Sequence, residues 1–166
     1  MAVVVSTPQS RQGRWCIYTV AMIVVVPPEK PADDVARWQP TLRYLQRVVD
    51  AEGVRLDEVH LHHHPRRRDG RRRVACFCAE ADWETHTLTL CGGQDRQTIL
   101  HEVGHLIVED YHTAIWSAET MRLHRVWLPA HRVQHADRLL AMEYRKARGL
   151  YRAVYGAPAP RSRNRE

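Results

Sequence analysis

Residues 99–107 constrain the fold more tightly than any other stretch of this 166-residue chain. Ile99, Leu100, Val103, Leu106 and Ile107 cover most of a helical circumference, so the segment reads as a helix that the remaining chain must bury. Into that helix the sequence sets His101, Glu102 and His105, an HExxH pattern. Side chains four residues apart lie on one helical face, so both imidazoles can hold one Zn²⁺ while Glu102 reaches a water beside it. The pattern therefore points to metal-assisted hydrolysis, with Glu102 as general base and His101 and His105 as ligands.

The elements around this helix can be read from periodicity. Val35, Trp38, Leu42, Leu45, Val48 and Val49 recur at helical spacing, with Asp33 placed to cap the helix and Gly53 to end it. Residues 54–64 alternate through Val59, Leu61 and His63, and Asp69-Gly70 then offers a turn into a second extended run at 74–79, which together predict a hairpin. A third strand, 85–91, stops at Gly92-Gly93. Standing directly before the motif, it is read as an edge strand able to hold an extended peptide. Asp95 offers an N-cap to the motif helix. A helix carrying Trp116, Thr120, Leu123 and Trp127 follows before Pro129, and then one long helix over about 131–155, ended by Gly156. The fold class expected is α+β: a small, twisted, mostly antiparallel sheet packed on the HExxH helix and followed by C-terminal helices. Residues 15–156 are read as a single domain, between a disordered leader at 1–14 and a disordered basic tail at 157–166.

Two histidines do not complete a catalytic zinc site, which uses three protein ligands and leaves a fourth position open. Downstream candidates include His112, Glu119, Glu143, His131, His135 and Asp137. His112 follows His105 by seven residues, enough for the chain to leave the helix near Glu109 and Asp110 and turn back; either acidic residue is placed to orient a ligand imidazole. The segment from His101 to His105, then His112 and Trp116, with Pro129 beyond, resembles the metal-binding segment of the SprT-like and WLM group of zincins, which are zinc metallopeptidases. That resemblance implies His101, His105 and His112 as ligands, Glu102 as base, Zn²⁺ as cofactor and a protein or peptide substrate. A gluzincin-like arrangement would instead take Glu119 or Glu143 as third ligand. Tyr111, His124, His131 or His135 could supply a donor to the oxyanion formed during hydrolysis.

The net charge of +6 comes almost entirely from arginine. Arg66, Arg67, Arg68, Arg71, Arg72 and Arg73 form the densest cluster and could neutralise phosphates, which makes a basic nucleic-acid-binding domain the competing expectation. Cys16, Cys76, Cys78 and Cys91 have neither CxxC spacing nor the density of a disulfide framework, and a reduced, cytoplasmic setting is expected. The apolar run at 15–26 is too short to span a bilayer, and its Ile23, Val24, Val25 and Val26 read as a buried strand ended by prolines.

Overall fold

The computed structural model describes residues 3–4, 24–26, 33–62, 79–91 and 95–156. They form an α+β structure of five helices and a small mixed sheet, falling into two compact units divided between Asp95 and Arg96. Among the described residues, no helix is long and apolar enough to cross a membrane.

The first unit holds strands β1 (Val3–Val4), β2 (Val24–Val26), β3 (Glu58–His62), β4 (Ala79–Asp82) and β5 (Thr87–Cys91), with helix α1 (Asp33–Glu52) between β2 and β3. As the spacing predicts, Trp38, Leu42, Leu45, Val48 and Val49 of α1 are buried, and Tyr44 joins them. Gly53 ends the helix at φ 66°, a left-handed conformation that glycine adopts without a Cβ penalty, and Val54 N–H closes the turn on the Val49 carbonyl at 2.9 Å.

The sheet order is β1-β2-β3-β5-β4, and this corrects two expectations. The sheet is not mostly antiparallel: β2 with β3 and β3 with β5 run parallel, while β1 with β2 and β4 with β5 run antiparallel. The run 74–79 expected to form a hairpin with β3 lies outside the described residues except for Ala79, and β4, which begins there, pairs with β5. Nor is the strand before the motif helix an edge, since β5 lies between β3 and β4. The cause is the distribution of apolar side chains. Val59 and Leu61 stand opposite Leu88 and Leu90, all four are buried, and their joint burial draws β3 and β5 together. The strand Ala79-Glu80-Ala81-Asp82 has little to bury and takes the edge, where acidic side chains face water. Asp82 then makes the turn into β5, its Oδ1 accepting the Glu84 and Thr85 N–H groups at 3.0 and 3.1 Å. Those bonds hold the Asp82 carboxyl below its ordinary range and delay the strand to Thr87.

The second unit is helical: α2 (Arg96–Val108), α3 (Ala114–Trp127), α4 (Ala130–Glu143) and α5 (Arg145–Tyr155). The motif helix is buried as its composition requires, with Ile99, Leu100, Val103 and Leu106 at 7% exposure or less. Thr113 caps α3 by accepting the Trp116 N–H at 3.2 Å. The single helix expected over 131–155 is two helices, broken at Tyr144 with φ −113° and ψ 119°. Trp116, Met121, Leu140, Ala141, Ala147 and Tyr151 make the core of this half, with Tyr144 packed against it.

Candidate metal centre

Three imidazoles from two neighbouring elements converge. His101 and His105 project from one face of α2. Glu109 follows α2 with φ 51°, a left-handed turn, and its N–H bonds the His105 carbonyl at 2.8 Å. The chain thereby reverses over residues 109–112 and brings His112 back just before the α3 cap. His112 Nε2 lies 3.2 Å from His105 Nε2 and 3.2 Å from His101 Nε2, and all three ligand atoms fall within 4.8 Å of one another. Tetrahedral Zn²⁺ with Zn–N of about 2.0–2.1 Å would separate its nitrogens by about 3.3 Å, close to the two short spacings here. Exposure is graded around the group: His105 is buried, His101 intermediate and His112 exposed.

The protonation states favour a cation. His105 Nδ1 lies 2.7 Å from the Asp110 carbonyl oxygen, which only accepts, so Nδ1–H donates and Nε2 presents a lone pair to the cluster. Burial, then repulsion from neighbouring imidazoles, lowers His101 to about 3. The same causes lower His112 to about 4, and burial lowers His105. One metal ion could satisfy all three converging nitrogens together. These histidines form the group among the described residues able to hold a metal ion.

Trp116 supports the cluster from below. Fully buried, it stacks on His105 with centroids 4.8 Å apart and planes at 18°, and meets His101 and His112 edge-on, each at 4.6 Å. Its indole N–H points to the His101 carbonyl at 3.4 Å. Gly104, inside HExxH, allows this approach: a Cβ there would lie 2.7 Å from Thr120 Oγ1 and 3.2 Å from Trp116 Nε1. Glu102 is buried beside the ligands, with Oε1 3.8 Å from His101 Nε2.

The other candidates are not part of this three-histidine group. Glu119 holds Arg122 through contacts of 2.6 to 3.0 Å. Glu143 is exposed at the end of α4. His131 and His135 are exposed on α4, and Tyr111 is 71% exposed. His124 is sealed in the interior, its Nδ1–H donating to Asp137 Oδ1 at 2.7 Å. The orienting group for His105 is the Asp110 backbone carbonyl, while the Asp110 carboxylate accepts the Tyr111 N–H at 2.7 Å. The arginine cluster at 66–73, Cys16, Cys76 and Cys78, and the terminal segments 5–14 and 157–166 lie outside the described residues.

Tyr144 is the residue that sequence reasoning misses. Its ring stacks on His112 at 4.2 Å and 24°, and lies 5.5 Å from His101 and 5.0 Å from Trp116. Burial, then the Glu143 and Glu102 carboxylates, pushes its phenol up to about 12, so the hydroxyl keeps its proton at neutral pH. Only the loss of helical pairing at this position would have revealed it, and Glu143-Tyr144-Arg145 contains no helix breaker.

No protein-family model matches the chain, and no curated protein or solved structure matches it.

Proposed function

We propose that this chain is a zinc metallopeptidase of zincin type, nearest the SprT-like and WLM group, which hydrolyses peptide bonds in protein or peptide substrates. The observation that carries the reading is the convergence of His101, His105 and His112 through Nε2 beside the buried Glu102 carboxylate. A carbonyl-oriented histidine, two imidazoles deprived of protons and a carboxylate next to them make a donor set suited to Zn²⁺ in a hydrolytic site. Zn²⁺ held there supplies Lewis acidity, lowering the pKa of water towards about 7 and polarising a carbonyl.

The residues of the chain do the rest. His101, His105 and His112 fix the ion, and Asp110 and Trp116 fix the imidazoles. Glu102 takes a proton from the attacking water as the new C–O bond forms, then delivers it to the amide nitrogen as the C–N bond breaks. The products are a carboxylate and an amine. His112 is the most exposed of the three, so a substrate would approach from its side of the cluster.

Metal analysis of purified protein should give about one zinc per chain, lost in His101→Ala. Glu102→Gln should keep the metal and abolish cleavage of an unfolded protein substrate such as casein. Full activity in Glu102→Gln would end this reading.

A further inference from the structure

Helix α4 ends at Glu143 and α5 begins at Arg145, although neither proline nor glycine stands between them. A helix broken without a local cause gives up intrahelical hydrogen bonds, so the cause lies in tertiary contacts. The break is supported from both sides. Tyr144 N–H bonds the Leu140 carbonyl at 2.9 Å, and Arg148 reaches back from α5 to the Ala141 carbonyl at 3.1 Å through Nε. Its consequence is the position of the Tyr144 ring, against His112 and close to His101.

Stacking alone does not account for a tyrosine, because phenylalanine has the same ring. The hydroxyl needs its own explanation. The other core tyrosine hydroxyl with a named partner, on Tyr155, donates to Asp137 Oδ2 at 2.6 Å. No described protein group hydrogen-bonds the Tyr144 hydroxyl, and its ring lies against His112 and beside His101, the two candidate ligands nearest to solvent. The donors expected from sequence are displaced: His124 is sealed against Asp137, and Tyr111, His131 and His135 point into solvent.

We propose that Tyr144 is a catalytic residue: its phenol donates a hydrogen bond to the scissile carbonyl oxygen as that oxygen becomes the tetrahedral oxyanion. The inference rests on the peptidase reading above. The phenol proton stays on Tyr144 throughout, so the proton inventory of hydrolysis is still carried by Glu102. Because the bond strengthens as charge develops, its effect falls on kcat more than on KM.

Tyr144→Phe keeps the ring and removes only the hydroxyl. Zinc content and Tm should stay at wild-type values, KM for a casein-derived peptide should hold, and kcat should fall about 100- to 1000-fold, as for loss of one oxyanion donor. Calorimetry supplies a readout independent of turnover. A peptide with a phosphonamidate in place of the scissile amide mimics the tetrahedral oxyanion and should lose a similar factor of affinity. The same peptide carrying an uncleavable methylene link should bind both proteins alike. A Tyr144→Phe enzyme within threefold of wild type in kcat and in phosphonamidate affinity overturns the role of Tyr144 and leaves the peptidase standing. Zinc-loaded wild-type protein that neither cleaves the peptide nor binds the phosphonamidate overturns both.

Discussion

His112 Nε2 approaches His101 Nε2 to 3.2 Å although eleven residues of sequence separate them. The approach depends on the reversal after α2, and it favours His112 among the candidate third ligands that spacing leaves open. Replacing His112 with alanine should weaken zinc binding by more than about 100-fold, beyond the loss typical of an outer partner. Glu119→Gln and Glu143→Gln should bind zinc as the wild type does. Competition with a chromophoric chelator measures all three; tight zinc binding by His112→Ala with weak binding by either glutamine variant would assign the site differently.

Gly104 belongs to the motif helix for a packing reason. A methyl group there meets Thr120 Oγ1 at 2.7 Å, so Gly104→Ala should cost about 1–3 kcal/mol by overpacking, even though alanine is the better helix former. Because the closest atom is the Thr120 hydroxyl, adding Thr120→Ala should recover most of that loss. Thr120 Oγ1 is buried without a hydrogen-bond partner among the described residues, so its removal forfeits little. Urea denaturation of the two variants tests the coupling, and strictly additive losses would show that the strain lies elsewhere.

The residues that were legible in the sequence are those whose partners are near in the chain or whose burial shows as periodicity. The bounds of α1 follow from its apolar spacing and Gly53, and the motif helix from its all-round apolar surface. His112 follows from a distance that one turn can span. Strand order was not legible from the Asp69-Gly70 turn signal, because pairing is decided by which strands have most to bury: Val59 and Leu61 found Leu88 and Leu90, and β4 was left outside. Tyr144 was not legible at all. Its break is imposed by contacts with His112 and by Arg148, neither of which alters local helix propensity.

Glu109 holds a left-handed conformation at φ 51°, which strains a residue carrying a Cβ by roughly 1–2 kcal/mol. Glu109→Gly should relieve that strain while leaving the turn to His112 in place, though added freedom of the unfolded chain offsets part of the gain. The expected outcome is a Tm equal to or above wild type with unchanged zinc affinity. A clear loss of zinc affinity would mean that the Glu109 side chain, and not only its backbone, organises the reversal.

The metal-free protein should lose stability on acidification. His101 and His112 sit at about 3 and about 4 in the folded state, below the ordinary 6.5, and burial lowers His105 as well. Between those values and 6.5 the unfolded chain binds protons that the folded chain refuses, so unfolding is favoured progressively as pH falls through that window. Thermal melts in chelator should show Tm falling from neutral pH towards pH 4. The slope should flatten in a His101→Gln, His112→Gln double variant; an unchanged slope would place the acid sensitivity in other groups.

His124 and Asp137 form a pair with almost no exposure, and Tyr155 closes it by donating to the second carboxylate oxygen at 2.6 Å. Arg125 Nη2 stands 3.9 Å from the same oxygen and brings positive charge to a buried anion. Breaking such a pair strands its partner in the interior. Asp137→Ala should therefore cost about 3–5 kcal/mol, since His124 Nε2 already has no hydrogen-bond partner among the described residues and Nδ1 would lose its own. Tyr155→Phe removes one hydrogen bond to a charged group and should cost about 1.5–3 kcal/mol. Urea denaturation of the chelated protein isolates these effects from metal binding. A loss below about 1 kcal/mol in Asp137→Ala would show that the helical half repacks around the vacated carboxylate, and that α3 and α4 do not depend on the pair.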